Sequence, residues 1–161
     1  EMAAQGVNVV RVPCGYWNWV SFPGPTTPNG ISEDQQRRQA LQSIAPKDYK
    51  QYFDRVFEHA GKHGIKVLLD LHALPGSQNG ETHGGITQSK PCCNTGWNRR
   101  KAIEAVRAMA KYAGNHLNDL YGVEVINEPN HFGDDAASHN FLDEYYDAAI
   151  RAAREHLPKE V

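Results

Sequence analysis

The sequence predicts an α/β fold in which three parallel strands alternate with helices. Two observations carry this expectation. Short apolar or β-branched runs occur at residues 7–12, 65–71 and 123–127. After each run, apolar residues recur at helical spacing. A third observation concerns where the strands stop. Arg11, then Asp70 with His72, then Asn127 with Glu128 put polar side chains at three successive strand ends.

Residues 1–6 read as the end of a helix. The first strand covers residues 7–12, and Pro13 is expected to end it. A loop rich in Pro, Gly and Thr follows over residues 15–30. Pro46 suits the first turn of a helix. Tyr49, Tyr52, Phe53, Val56, Phe57 and Ala60 form its apolar stripe, and Gly61 and Gly64 bracket its end. Residues 65–71 are nearly continuously apolar, as in a parallel strand covered on both faces. The loop over residues 73–96 is too long for a simple connector. Trp97, Ile103, Val106, Ala110 and Ala113 mark the next helix. Residues 123–127 form the third strand. Phe141, Leu142, Tyr145, Ala149, Ala152 and Ala153 mark the last helix, which Pro158 ends. No repeat, low-complexity segment or internal boundary is visible.

Strands joined in this way close as an open doubly wound sheet or as a (β/α)8 TIM barrel. A nucleotide-binding open sheet wants a glycine-rich turn after its first strand. None of the three strands carries one. Each delivers polar side chains from its end, which favours the barrel. A whole barrel takes roughly 250 residues, so the chain reads as a partial barrel with three of its eight strands.

With 40% hydrophobic and 22% charged residues, the 161-residue chain has the composition of a globular protein with one core. Its 17 basic and 19 acidic residues are well mixed. No basic face suggests nucleic acid or an anionic membrane. No apolar run approaches the roughly 18 residues of a spanning helix, and no N-terminal signal segment is visible. The 3 cysteines, Cys14, Cys92 and Cys93, give no disulfide framework. One buried thiol and two in a loop is the favoured reading, and a bond to a cysteine elsewhere stays open. No second Cys or His pair falls at zinc-ligand spacing, so a zinc site is not expected.

Glu128 is the strongest candidate for chemistry. Side chains alternate along a strand, so Glu124, Ile126 and Glu128 are expected to share one face near its end. In general, a carboxyl group against apolar walls keeps its proton to higher pH, which suits a general acid. A solvated or helix-capping glutamate is the competing reading. His72, on the face of Leu68 and Asp70, either positions a hydroxyl or carboxylate or bonds the backbone. Asp70 reads as structural. Arg11 near its strand top needs an anion, which is either a catalytic carboxylate or a structural partner. Tyr16, Trp17, Trp19 and Phe22 suit the apolar faces of sugars or pack the loop. Gln78, Asn79 and His83 lie in a turn-rich loop, either bonding sugar hydroxyls or facing solvent.

Taken in order, Val9-Val-Arg-Val-Pro13 with Gly15-Tyr-Trp17, Asp70-Leu-His72 with Pro75-Gly-Ser-Gln-Asn-Gly80, and Asn127-Glu-Pro129 resemble glycoside hydrolase family 5. The resemblance covers essentially the whole chain and is to the fungal exo-β-1,3-glucanase branch. Phe141-Leu-Asp-Glu-Tyr145 resembles the helix that follows there. It implies that residues 1–161 are the N-terminal part of a catalytic barrel, strands two to four, and an incomplete single domain. It implies a retaining hydrolase of β-glucan, extracellular or in the cell wall, monomeric when complete and without a cofactor. Glu128 would be the acid/base. Asn127 would bond the sugar 2-hydroxyl, with Arg11 and His72 around a nucleophilic glutamate on the seventh strand. Tyr16, Asn79 and His83 would complete the substrate contacts. Residues 1–161 alone are then expected to be inactive. Glu81 stands where the branch has an aromatic residue, and Cys14 where it has an aliphatic one, which bears on linkage specificity. The alternative is a non-catalytic carbohydrate-binding or interaction module derived from such a barrel.

Overall fold

The computed structural model describes residues 1–20, 49–82, 96–130 and 136–161. Phe22, Pro46, His83, Cys92 and Cys93 lie outside the described residues. The strands are β1 (Val9–Gly15), β2 (Lys66–Ala73) and β3 (Leu120–Glu124), and the helices are α1 (Lys50–Lys62), α2 (Gly96–Ala113) and α3 (Ala136–Arg154). All pairing is parallel, in the order β1-β2-β3.

α1 forms where the sequence places apolar residues three and four apart. Phe57 and Ala60 are buried, with Phe53 and Val56 packed beside them. The helix closes on Gly64 at φ +68°, a left-handed turn that glycine adopts without steric cost. The Ile65 N–H returns to the Ala60 carbonyl at 2.9 Å and the Gly64 N–H to the Gly61 carbonyl at 3.0 Å. That turn leads directly into β2. Val67, Leu69 and Leu71 there are fully buried, and each contributes about 1.5–3 kcal/mol by leaving water. They share one core with Phe57, Val106, Met109 and Tyr145, which come from all three helices. Small residues line the inner sides of α2 and α3, with Ala102, Ala105, Ala110, Ala149 and Ala152 all buried. Among the described residues no helix is long and apolar enough to cross a membrane.

Side chains alternate along each strand. The helices cover the Val67, Leu69 and Leu71 face. The opposite face carries Arg11, Leu68, Asp70 and His72.

Two strand boundaries differ from expectation. β1 does not stop at Pro13 but runs through it to Gly15. Pro13 lies opposite Asp70 on an edge strand of this sheet, where a missing N–H is tolerated. β3 ends at Glu124, not Asn127. Beyond it the backbone turns to side-chain partners. Tyr145 Oη–H donates to the Val125 carbonyl at 2.7 Å, and Gln78 Nε2–H donates to the Asn127 carbonyl at 2.9 Å. Glu124, Ile126 and Glu128 therefore do not share one face. Glu124 meets Arg11, Ile126 is buried in the core, and Glu128 is exposed.

Candidate active site

The parallel register sets Pro13, Asp70 and Glu124 level across the sheet. Arg11 sits two residues before Pro13 on the same face. Its guanidinium reaches forward and gathers three partners. Nη2 lies 3.0 Å from Asp70 Oδ2 and donates to Asn127 Oδ1 at 2.7 Å, and Nε donates to Glu124 Oε2 at 2.5 Å. One cation thus faces two carboxylates and an amide. The bond to Glu124 and the nearby charges of Asp70, Glu124 and Glu128 raise the Arg11 pKa further, against a smaller effect of burial. Of these causes the charge of Glu128 is the smallest.

Asp70 is 0% exposed and His72 Nδ1 lies 2.6 Å from its Oδ2. Burial pushes the Asp70 pKa up, and the bonds and charges of His72 and Arg11 pull it back. Behind it, Cys14 Sγ–H donates to the Asp70 carbonyl at 3.1 Å and receives the Trp19 indole N–H at 3.2 Å. Burial pushes the Cys14 thiol up to about 12, so it stays protonated and packs as a small core residue.

Asn127 is buried, at 4% exposure. Arg11 has only donors to offer, so the amide must turn its oxygen towards it. Its Nδ2 then points away and has no partner among the described residues. Glu128 follows at φ +42°, a left-handed conformation that non-glycine residues adopt rarely. Two amides of the loop after β2 hold this segment. Gln78 grips the Asn127 carbonyl, and Asn79 Nδ2–H donates to the Glu128 carbonyl at 3.0 Å.

Asn79 was expected to meet substrate. Its amide is instead engaged inside the protein at both ends, since Oδ1 accepts the Glu81 N–H at 3.0 Å. Ser77 and Gln78 are likewise buried, so this stretch is not a solvated turn. Tyr16 is 0% exposed and packs edge-on against Trp17, with ring centroids 5.1 Å apart. Its ring lies in the core, so a sugar reaches it only if its neighbours move. Trp19 is also core. It stacks on Phe53 at 5.4 Å and is surrounded by Tyr49 and Tyr112. Trp17 is the partly exposed ring of the group and lies against Gly15, where an added Cβ would come within 2.3 Å of the indole. A cleft of about 260 Å³ opens between the ends of β1 and β2, and its walls include Trp17, Asn18 and His72. His83 lies outside the described residues.

The structure thus brings Arg11, Asp70, His72 and Asn127 together at the carboxyl ends of the strands, with Glu128 next in the chain after Asn127. It adds Glu124 and Gln78, which sequence reasoning had not given these roles. Nothing in the spacing marks Glu124 as the Arg11 partner. Among the described residues, no group of three or more His, Cys, Asp or Glu side chains could hold a metal ion.

The sequence matches the cellulase family, glycosyl hydrolase family 5, across residues 1–161. It is 33% identical over 135 residues to glucan 1,3-beta-glucosidase of Blumeria graminis, covering 84% of this chain and 27% of that protein. It is 32% identical over 149 residues to the probable glucan 1,3-beta-glucosidase A of Aspergillus terreus, covering 92% and 31% respectively. The chain spans under a third of the length of these relatives. Rutinosidase from Aspergillus niger superimposes with a TM-score of 0.66 at 18% identity, over 98% of this chain and 43% of that one. Endoglucanase Cel5A of Pseudomonas stutzeri gives 0.53 at 22% identity, over 96% and 36%. The three parallel strands and their helices match part of the barrel of these proteins. By its sequence match and its fold, the chain belongs to glycosyl hydrolase family 5.

Proposed function

We propose that this chain is the N-terminal part of the catalytic barrel of a retaining glycoside hydrolase that cleaves β-1,3-glucan, and that it supplies the acid/base. The observation that carries the reading is the Arg11 cluster. Its guanidinium binds the Asn127 amide at 2.7 Å, beside buried Asp70 and His72 at the carboxyl ends of the strands and one residue before Glu128. The names of the fungal relatives supply the substrate class.

In the first half-reaction a nucleophilic carboxylate attacks the anomeric carbon. Glu128 passes its proton to the departing glycosidic oxygen, and a glycosyl ester forms. In the second, Glu128 takes a proton from the water that attacks the ester, and the nucleophile leaves as a carboxylate. The two carboxyl groups must lie about 5–5.5 Å apart. Asp70 is buried beneath Arg11 and His72, and Glu124 is tied to Arg11 at 2.5 Å. Neither is free to attack, and the resemblance to family 5 implies a nucleophilic glutamate on a later strand, beyond residue 161. His72, held through Nδ1 by Asp70, lines the cleft and orients substrate. The intact enzyme acts as a monomer outside the cell or in the wall and needs no cofactor.

The test is the configuration of the first product. The intact protein containing this chain, incubated with a β-1,3-glucan oligomer and followed by proton NMR, should release β-anomeric product before mutarotation. Initial α-anomer would contradict double displacement. Turnover by isolated residues 1–161 would contradict a nucleophile outside them.

A further inference from the structure

Resting on the reading of Glu128 as acid/base, we propose that Gln78 is a positioning residue that sets the aim of the Glu128 carboxyl. Gln78 is 1% exposed, and its amide is fully engaged. Nε2 donates to the His72 carbonyl at 2.7 Å and to the Asn127 carbonyl at 2.9 Å, while Oε1 accepts the Leu74 N–H at 3.1 Å. Its own carbonyl accepts the Asn130 N–H at 3.3 Å. One side chain therefore braces the end of β2, which carries His72, against the segment after β3, which carries Glu128.

That segment needs a brace. β3 has ended at Glu124, so no ladder bond fixes residues 125–128. Glu128 is held at φ +42°, a conformation that persists only where its surroundings enforce it. Gln78 and Asn79 supply bonds to the carbonyls of Asn127 and Glu128 on either side of that torsion. Hydrophobic packing alone does not fix this peptide, because Glu128 itself is exposed. An amide is required at position 78, since two N–H donors and one acceptor are used at once. A glutamate there would set oxygen against two carbonyls.

The test uses the intact protein with two substrates. A β-1,3-glucan oligomer leaves as an alkoxide-like alcohol that needs a proton, whereas a dinitrophenyl glucoside leaves without one. In Gln78→Met, kcat on the oligomer should fall by on the order of 10²-fold with KM little changed, as expected for a misplaced acid. The kcat/KM for the dinitrophenyl glucoside should stay near wild type. Asn79→Asp removes the Nδ2–H donor to the Glu128 carbonyl while keeping an acceptor for Glu81. It should give a smaller loss with the same selectivity, and it decides the matter if Gln78→Met does not fold. An equal loss on both substrates, or none, overturns the proposal. Glu128→Gln run beside them separates the two ideas. If it shows the leaving-group selectivity and the Gln78 and Asn79 variants do not, positioning by Gln78 fails alone. If Glu128→Gln lacks it too, the acid/base reading fails with it.

Discussion

Glu128→Gln in the intact protein is expected to lower kcat on β-1,3-glucan by about 10²–10⁴-fold, the usual contribution of a positioned acid or base. The size of the loss should follow the leaving group. With a dinitrophenyl glucoside the first step needs no proton and proceeds. The second step, which needs Glu128 to deprotonate water, then becomes slow, and glycosyl-enzyme accumulates in a burst. Azide needs no base, so adding it should restore turnover and yield the β-glucosyl azide. A steric or folding defect would give none of these signatures. Loss of activity on both substrates without azide rescue would assign Glu128 a different role. The fold is consistent with the first outcome, because Glu128 directly follows Asn127, whose amide Arg11 holds at 2.7 Å.

Arg11→Leu should have the largest effect on stability. The guanidinium compensates Asp70, which is completely buried, and also holds Glu124 and Asn127. Breaking a buried pair by removing one partner costs about 3–5 kcal/mol. The Arg11 side chain is 42% exposed and His72 stays on Asp70, so the lower end of that range, about 3 kcal/mol, is expected. The denaturation midpoint of the intact protein should fall with little change in slope. The loss should depend on pH in a definite sense. Burial places the Asp70 pKa above its ordinary value in the folded state, so the native protein holds this proton more tightly than the unfolded chain. Stability from this group is greatest below the ordinary carboxylate range and declines as pH rises through the raised pKa. Without Arg11 the decline steepens. The defect of Arg11→Leu should therefore be smallest in acid and full at neutral pH. Adding Asp70→Asn should recover much of it. A pH-independent loss, or a double variant no better than the single one, would mean that the charge pair is not what Arg11 supplies.

The elements were legible wherever burial is periodic. Phe53, Val56, Phe57 and Ala60 announced α1, and the apolar run of β2 announced a strand covered by helices. The boundaries at Pro13 and Glu124 were not. A proline ends a central strand but is tolerated on the edge that β1 presents here. Val125 and Ile126 are as apolar as a strand, yet the Val125 carbonyl takes its partner from the Tyr145 side chain of α3. That Arg11 meets anions was legible, because a cation near a strand end needs one. Which anion Arg11 takes depends on register, and register does not appear in a single sequence. Gln78 and Asn79 were read as turn residues facing substrate or solvent. Their amides in fact support the Glu128 segment, a role that depends on contacts across 49 residues of chain.

The most direct measurement is to trap the glycosyl-enzyme. A glucosyl fluoride with fluorine in place of the 2-hydroxyl slows breakdown of the ester and needs no acid to form it. After reaction with the intact protein, peptide mass spectrometry should find one labelled glutamate, outside residues 1–161. Glu128→Gln should label at that same residue. A label on Glu81, Glu124, Glu128 or Asp70 would contradict the assignment of Glu128 as acid/base facing a nucleophile from a later strand.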